Sequence, residues 1–372
     1  MIIVLTQCFP SRLGGIESLI SNLALELSKS QKVIVFADRH HVFYDIIYDN
    51  EHKDKILVRR ISGLKFFRRR RKIKEVRPFI ESKQVKLIIA DTWKSIELGI
   101  DYFNMNKIPT ICLAHGNELL SNDEKKYNRI KNILNKTTSI IANSLYTKKL
   151  VENLITSNVM VDYVYPGAND LRHIKEHIFI EITGNPIIIT LARLEKRKGH
   201  IAVIYAIKQL LLEFPNLKYI IAGEGPEKIT LEKIIKKNNL EENIIFAGLV
   251  NDAQKKFLFQ KADLMVMPTL DESKKRSVEG FGIAYIEAAF FGVPSIASNI
   301  GGTSEAVIDK STGIIINSVN DLYGSIKDLL SDKNKRIFLG QNAQKRSIDE
   351  LNWENVCKNY LKAFSKVVPN LN

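Results

Sequence analysis

The sequence predicts an α/β protein of two doubly wound domains, each with a parallel sheet covered by helices on both faces. Its 372 residues are too many for one ordinary hydrophobic core and suit two domains. Along the whole chain, short apolar runs alternate with amphipathic segments such as Ile16–Leu27 and Ile201–Leu212. Continuous β-branched runs in such an alternation are typical of parallel strands that are buried on both faces.

Eleven apolar runs mark the predicted strands, six before a break in the pattern and five after it. The break is the segment PGANDLRHIKEHIFIEITGNP, after which a new buried strand starts near Ile187. We therefore assign residues 1–168 to one domain and residues 169–351 to the other. In chain order the runs are MIIVLT, KVIVFA, KLIIAD, IPTICLA, SIIANS, VDYVYP, PIIITLA, LKYIIAGEG, NIIFAGL, ADLMVMP and VPSIAS.

The composition excludes several classes of protein. Hydrophobic residues make up 45% of the chain and no long polar tract interrupts it, which argues against disorder. No stretch reaches the roughly 20 apolar residues of a membrane span, and the first ten residues lack the features of a cleaved signal. The three cysteines are far apart, which predicts neither a disulfide framework nor a metal site. We expect a reduced, cytoplasmic protein.

The net charge of +14 is concentrated in residues 53–86, which hold 14 Lys and Arg against three acidic residues. Such a segment favours phosphate groups. Within it, GLKFFRRRRKIK sets aromatic residues beside a basic run, as membrane-surface segments do. Nucleic-acid binding and a solvated loop are the alternatives, although charge confined to one segment argues against a nucleic-acid partner. The residues expected on the inner face of an anionic membrane are Phe66, Phe67, Arg68, Arg69, Arg70, Arg71 and Lys72.

Ligands of open parallel sheets bind beyond the carboxyl ends of the strands, so the polar residues after each run are the candidates for chemistry. After the first run, Gly14 and Gly15 open a helix, where the backbone can approach an anion closely. A plain tight turn is the alternative. After IPTICLA, His115 can donate to a substrate oxygen, unless it is simply hydrogen bonded within its loop.

The loop after PIIITLA is basic and leads into a helix. Arg193 and Lys198 lie five residues apart and can converge on a diphosphate, because Arg supplies a fork of donors and Lys a point charge. The intervening Lys196 and Arg197 are expected to be solvated.

The stretch VEGFGIAYIEA places Glu279 and Glu287 on either side of a Gly-Phe-Gly turn. If a helix begins near Gly282, the backbone N–H groups of Phe281, Gly282 and Ile283 are available to phosphate oxygens. Carboxylates accept hydrogen bonds in pairs, so we expect a sugar at Glu279 and a ribose at Glu287. Pairing of Glu287 with a lysine is the structural alternative, because its apolar setting requires a partner.

Together these motifs resemble the retaining family 4 glycosyltransferases of GT-B fold, most fully from about residue 185 to 316. In the first half the resemblance is limited to Gly14-Gly15, His115 and the ANS of residues 142–144. In the second half it rests on Arg193, Lys198-Gly199, Gly223-Glu224-Gly225-Pro226, Glu279, Glu287, Gly292-Val293-Pro294, Gly301-Gly302, Glu305 and Gly313.

The resemblance implies two Rossmann-like domains that face each other across a cleft. A nucleotide-sugar donor would bind mainly to the second domain and an acceptor to the first, with a C-terminal helix of about residues 352–372 joining the first. The implied catalytic residues are His115, Arg193, Lys198 and Glu279. The implied donor-binding residues are Gly14, Gly15, Gly223, Glu224, Gly225, Leu249, Val250, Phe281, Gly282, Ile283 and Glu287.

The expected activity is hexosyl transfer with retention of configuration. Mannose is favoured, because EGFGIAYIEAAFFGVPSIASNIGG resembles bacterial enzymes that move mannose from GDP-mannose to lipid-linked acceptors in envelope polysaccharide synthesis. One alternative is glucosyl or N-acetylglucosaminyl transfer from a UDP-sugar. Another is a basic phosphate- or nucleic-acid-binding protein without transferase activity. No Asp-x-Asp follows a predicted strand, so neither a metal nor another cofactor is expected.

Overall fold

The computed structural model describes residues 1–12, 14–156 and 158–369, apart from the side chain of Phe66. The chain forms two compact units. The first comprises Met1–Pro166 and the C-terminal segment from Trp353 on, and the second comprises Gly167–Asn352. The division after Pro166 lies two residues before the predicted one at residue 168.

The first unit contains a sheet of seven parallel strands in the order β3-β2-β1-β4-β5-β6-β7. Its strands are β1 (Ile2–Thr6), β2 (Val33–Asp38), β3 (Leu57–Ile61), β4 (Leu87–Ala90), β5 (Thr110–Ala114), β6 (Ser139–Ala142) and β7 (Met160–Tyr163). Its helices before the division are α1 (Gly15–Leu27), α2 (Val42–His52), α3 (Lys65–Glu81), α4 (Trp93–Ile96), α5 (Ile100–Met105), α6 (Glu124–Leu134) and α7 (Leu145–Glu152).

The second unit contains six parallel strands in the order β10-β9-β8-β11-β12-β13. Its strands are β8 (Ile187–Leu191), β9 (Lys218–Ala222), β10 (Ile244–Gly248), β11 (Leu264–Met267), β12 (Ser295–Ser298) and β13 (Gly313–Ile316). Its helices are α8 (His200–Leu210), α9 (Lys228–Lys237), α10 (Asp252–Lys261), α11 (Ile283–Ala289), α12 (Thr303–Ala306), α13 (Leu322–Ser331) and α14 (Lys333–Asp349). The predicted pair of doubly wound parallel domains is confirmed.

The sheet of the first unit is buried on both faces. Side chains alternate along a strand, so Ile2 and Val4 of β1 lie in one core cluster while Ile3 and Leu5 lie in the cluster on the other face. A strand with two core faces carries apolar residues at every position, which is why these strands appear in the sequence as unbroken apolar runs.

Two strands that no apolar run predicted, β3 and β13, lie at sheet edges. β3 has the sequence LVRRI, and its first four residues are exposed or half-buried. An edge strand has one hydrogen-bonded neighbour and more solvent, so it tolerates the exposed Arg59, whereas the buried side chain of Arg60 pairs with Asp45 and Asp49. β13 has four residues, and its two middle positions are half-buried.

The last described helix, α15 (Trp353–Ser365), packs in the core of the first unit beside α1. Its buried face presents Trp353, Val356, Tyr360 and Phe364, a helical spacing that places them in one stripe. The chain therefore enters the first unit a second time after completing the second.

Replacing Phe364 with Ala should lower the free energy of unfolding of the first unit by about 3 to 5 kcal/mol, because the fully buried ring leaves a cavity. Lys362→Ala, at an exposed position of the same helix, should change it by less than about 0.5 kcal/mol. Urea unfolding followed by tryptophan fluorescence measures both. Equal effects of the two substitutions would contradict the packing role of α15.

Candidate active site

The loops that follow β8, β9 and β10 are hydrogen bonded to one another at the carboxyl edge of the second sheet. The Leu194 N–H donates to the carbonyl oxygen of Glu224 at 3.1 Å, and the Gly223 N–H donates to that of Gly248 at 2.8 Å. A Cβ at Gly223 would lie 1.9 Å from the carbonyl oxygen of Ala192. Glycine is therefore required here by the close approach of two backbone segments of the protein itself.

Lys198, Arg197 and Glu279 form a buried cluster of charges at this edge. Oε2 of Glu279 accepts hydrogen bonds from Nη1 of Arg197 at 2.5 Å and from Nζ of Lys198. The two cations lie on the loop between β8 and α8, whereas Glu279 lies just before α11, about 80 residues later in the chain. The sheet thus brings together two segments whose proximity the sequence does not record.

Glu279 is held in its charged form. Burial alone would raise the pKa of its carboxyl group, but the positive charges and hydrogen bonds of Lys198 and Arg197 outweigh it, so the pKa lies below the ordinary value. The carboxylate therefore accepts hydrogen bonds without donating any near neutral pH. Such a group suits recognition of hydroxyls.

The two arginines of the basic loop differ in burial, and a role for the exposed Arg193 toward a diphosphate stays a prediction. Arg197, expected to be solvated, has a side chain only 11% exposed. Arg193, expected to face a ligand, is 72% exposed and pairs with Glu195 at 2.9 Å. The prediction for Arg197 was wrong because its partner Glu279 is remote in sequence. Lys196 is exposed, as expected.

A buried histidine underlies the same loop. Ring nitrogens of His200 lie 3.4 Å from the carbonyl oxygen of Arg193 and 3.4 Å from the hydroxyl of Tyr219, which in turn lies 2.8 Å from Thr190 Oγ1. Burial, reinforced by the charge of Lys198, lowers the pKa of His200 to about 4. The ring is therefore neutral near pH 7 and connects the basic loop to the sheet.

The Gly-Phe-Gly turn leads into α11 at Ile283, close to the predicted start, and Gly282 adopts a φ of 105° that favours glycine. Glu287 on this helix pairs with Nζ of Lys255 on α10 at 2.8 Å. This is the structural alternative that the sequence left open for Glu287. Burial opposes the charge of Lys255, but Glu287 and Asp252 outweigh it and raise the pKa of the lysine. A role for Glu287 toward a ribose stays a prediction.

The remaining predicted donor residues of the second unit lie on these same loops. Leu249 follows β10 and is exposed, whereas Val250 is buried. Phe281 is buried, and Ile283 and Glu224 are half-buried. Gly225 lies so close to the neighbouring loop that a Cβ there would be 2.5 Å from the carbonyl oxygen of Leu194.

In the first unit, Asp91 organises the carboxyl edge of the sheet. Its buried carboxylate accepts from Thr6 Oγ1 at 2.8 Å, from the Gln7 N–H at 2.8 Å and from Ser95 Oγ at 2.5 Å. The sequence analysis missed Asp91, although its position directly after a predicted strand was the signal used for the other candidates. His115 Nε2 lies 2.8 Å from the carbonyl oxygen of Asp91 and therefore carries a proton.

The surroundings of His115 match the alternative of a loop histidine, because its backbone N–H also donates to Glu118 Oε1 at 2.6 Å. Its role near a transferred sugar stays a prediction. Gly14 and Gly15 are exposed at the start of α1. The buried Glu17 lies in the first turn of the same helix and was not among the predicted site residues. Burial raises the pKa of Glu17, which pairs with Arg12 at 2.9 Å.

The basic run predicted to dock on a membrane forms the first turns of α3, and part of it faces the protein. Lys72 is buried and pairs with Asp38 at 2.5 Å, and Arg68 pairs with the same carboxylate at 3.3 Å. Arg69 pairs with Glu97. The membrane assignment is therefore wrong for these three cations, because they point toward the protein and pair with the buried carboxylates of Asp38 and Glu97.

The rest of that run is on the surface. Phe67, Arg70 and Arg71 are exposed, and Arg71 donates to the carbonyl oxygen of Ser62 at 3.1 Å. The side chain of Phe66 lies outside the described part of the structure. Across residues 1–12, 14–156 and 158–369, no helix has the length and apolar character needed to cross a membrane.

Comparisons with known proteins connect this geometry to a family. Residues 174–346 match the family model described as Glycosyl transferases group 1. The chain is 24% identical over 375 residues to a GDP-mannose-dependent alpha-(1-6)-phosphatidylinositol monomannoside mannosyltransferase of Mycolicibacterium smegmatis, covering 94% of each chain. It is 24% identical over 378 residues to a GDP-mannose-dependent monoacylated alpha-(1-6)-phosphatidylinositol monomannoside mannosyltransferase of Corynebacterium glutamicum, covering 95% of this chain and 94% of the other.

Among solved structures, Anabaena HepE in complex with UDP and glucose matches with a TM-score of 0.79 at 19% identity. The match covers 98% of this chain and 100% of that one. At this identity the likeness is one of fold, and the fold is the GT-B arrangement of two Rossmann-like domains that the sequence resemblance implied.

The pH dependence of stability tests the buried histidine. Because the pKa of His200 falls from 6.5 to about 4 on folding, the unfolded chain binds the extra proton between these values. Stability conferred by the neutral ring is therefore lost as the pH falls from 6.5 to 4, by roughly 3 kcal/mol. In urea unfolding, the free energy of unfolding of His200→Gln should change less with pH between 6.5 and 4 than that of the wild type. Identical slopes for the two proteins would contradict burial of a neutral ring.

Proposed function

Because residues 174–346 form a glycosyltransferase group 1 domain, we propose that this protein transfers a hexose, with mannose favoured, from a nucleotide-sugar to a lipid-linked or glycan acceptor. In the reaction, the bond between the anomeric carbon and the diphosphate oxygen breaks. The acceptor hydroxyl forms the new bond to that carbon and releases its proton. We propose retention of the anomeric configuration and envelope polysaccharide synthesis as the setting.

The buried cluster of Lys198, Arg197 and Glu279 carries the proposal. Negative charge grows on the departing nucleoside diphosphate, and a fixed cation in a site of low dielectric stabilises that charge strongly. Lys198 lies with its ammonium group in such a site, held by Glu279. When phosphates approach the cations, the Glu279 carboxylate can accept from sugar hydroxyls. Protein cations thus supply the positive charge, and we propose that transfer requires no metal.

The choice of mannose and of a lipid-linked acceptor draws support from two relatives that cover almost the whole chain. Their names give GDP-mannose as the donor and a phosphatidylinositol mannoside as the acceptor. A UDP-sugar is the second candidate donor, favoured by the UDP bound to HepE.

A thermal-shift screen against GDP-mannose, UDP-glucose, UDP-N-acetylglucosamine, GDP, UDP and ADP identifies the donor. We expect the largest shift with GDP-mannose, since a ligand at about 100 times its dissociation constant stabilises by about 2.7 kcal/mol. Glu287→Gln should reduce this shift, because an amide offers one uncharged accepting oxygen in place of the two oxygens of a carboxylate. Glu354→Gln, in an exposed ion pair of the first unit, is the matched control.

The same screen can contradict the proposal in two ways. A larger shift with a UDP-sugar would replace mannose transfer from GDP-mannose with the second candidate. No shift with any nucleotide or sugar nucleotide, together with tight binding of nucleic acid, would replace transferase activity with the nucleic-acid alternative.

Lys198→Ala should lower kcat by about 100- to 1000-fold and donor affinity by less, since the charge that the lysine meets grows as the bond breaks. Arg193→Ala should lower kcat in the same way but by a smaller factor, because its exposed charge is screened by water. Lys196→Ala, an exposed cation of the same loop, should leave kcat unchanged. Steady-state kinetics with a soluble acceptor, alongside melting curves for each variant, measures this. Weakened donor binding with an intact kcat would reduce the two residues to phosphate anchors.

A further inference from the structure

Helix α2 turns three polar side chains, those of Asp45, Tyr48 and Asp49, toward the protein. Asp45 is buried and accepts from Ser11 Oγ at 2.7 Å. The Asp49 carboxylate accepts three hydrogen bonds from Nε and Nη2 of Arg60, the shortest at 2.7 Å. Tyr48 is hydrogen bonded to Ser21 on α1. These helix residues recur at spacings of three and four and so define a single inward face.

The opposite face of α2 is apolar and exposed in its first two turns, and it becomes polar at the exposed Asn50 and Glu51. Val42 and Phe43 are 60% and 63% exposed, and Ile46 and Ile47 are 49% and 39% exposed. A surface helix of a globular protein shows the reverse pattern, with apolar residues inward and polar residues outward. Four large apolar side chains in six consecutive residues also form a contiguous patch rather than scattered exposure. The pattern indicates a surface that something else covers.

The exposed start of α3 lies at the same edge of the sheet as the start of α2. Arg68 joins the two helices, because its guanidinium donates to the Arg39 carbonyl oxygen at 3.2 Å and pairs with Asp38 at 3.3 Å, both just before α2. Next to it, Leu64 and Phe67 are 74% and 51% exposed. Both helices follow neighbouring strands, β2 and β3, so their first turns lie at the same edge of the sheet.

Exposed cations lie at the same place. Lys65, Arg70 and Arg71 are all exposed in the first two turns of α3. They belong to the segment 53–86, which carries 14 Lys and Arg against three acidic residues. The surface therefore combines large apolar side chains with positive charge, the composition of helices that lie in the interface of an anionic membrane.

We propose that the exposed face of α2, together with Leu64, Phe67 and the exposed cations of α3, is the surface that docks on an anionic lipid bilayer. This rests on the proposed lipid-linked acceptor, which the protein would then meet at the membrane. A second copy of the chain fits poorly, because a symmetric contact would place two strongly basic segments against each other. Nucleic acid fits less well: the exposed rings of Phe43 and Phe67 could stack on bases, but the aliphatic Val42, Ile46 and Ile47 could not, whereas a lipid interface accepts all of them.

The triple variant Phe43→Gln/Ile46→Gln/Ile47→Gln tests the surface. None of these side chains is in the core, so circular dichroism and melting temperature should stay at the wild-type values. Its affinity for vesicles of equal parts phosphatidylglycerol and phosphatidylcholine, measured by sedimentation, should fall about a hundredfold. Leu212→Gln/Ile229→Gln, at exposed apolar positions of the second unit, is the matched control and should bind as the wild type.

A second variant separates the charge from the apolar contact. Arg70→Ser/Arg71→Ser should weaken binding to the same vesicles by at least about tenfold at low salt, and by less at high salt. Its binding to pure phosphatidylcholine vesicles should equal that of the wild type. Wild-type vesicle binding by the triple variant would overturn the proposal. So would a dimer in light scattering that the triple variant dissociates while vesicle binding stays at the wild-type level.

Activity assays distinguish failure of this inference from failure of the proposed function. The triple variant should transfer sugar to a detergent-soluble acceptor analogue at the wild-type rate, and to a bilayer acceptor at least about tenfold more slowly. If the triple variant lost the same fraction of its transfer rate on both acceptors, the docking role would be overturned and the proposed transferase function would stand. Vesicle binding that depends on α2, in a protein that transfers no sugar, would overturn the transferase and keep the docking surface.

Discussion

Parallel strands impose the constraint from which the rest of this structure follows. Each connection must carry the chain back across a face of the sheet, so all strands of a sheet end at the same edge. In each unit the strand order reverses once, between β1 and β4 and between β8 and β11. Loops remote in sequence therefore meet where the strands end.

Charge at these edges is buried rather than solvated. Lys198 with Glu279 in the second unit and Lys72 with Asp38 in the first are both buried pairs next to strand ends. Removing such charges from water costs more than most ion pairs return, so a buried pair is weak evidence of a role in stability. In the proposed reaction the burial of Lys198 would have a chemical use, because a cation withheld from water acts strongly on a developing anion. At Lys72 it fastens α3 to the sheet.

The basic run of α3 has cations on both sides of the helix, some facing the protein and some facing solvent. With 3.6 residues per turn, Arg68, Arg69 and Lys72 fall on one side, where acidic partners hold them against the protein. Arg70 and Arg71 fall on the other side and are exposed. The run therefore both fastens the helix and supplies positive charge beside the apolar face of α2.

Local sequence determined the elements whose pattern follows from burial on both faces. Continuous apolar runs gave the central strands and the doubly wound architecture, because a strand with two core faces has no position for a polar side chain. The edge strand β3 was not predicted because two arginines interrupt its apolar run, one exposed and one paired with the acidic residues of α2. The glycines and glutamates around α11 pointed to the candidate site, since their chemistry at a helix start is local.

Tertiary structure decided which charges meet. Arg197 rather than Arg193 reaches Glu279, and Lys255 reaches Glu287 from another helix. The same holds for α2, whose apolar residues the sequence could not assign to core or surface. An ion pair or an exposed face depends on what the fold places alongside it, and residues 32 to 82 positions apart leave no periodic trace of their contact.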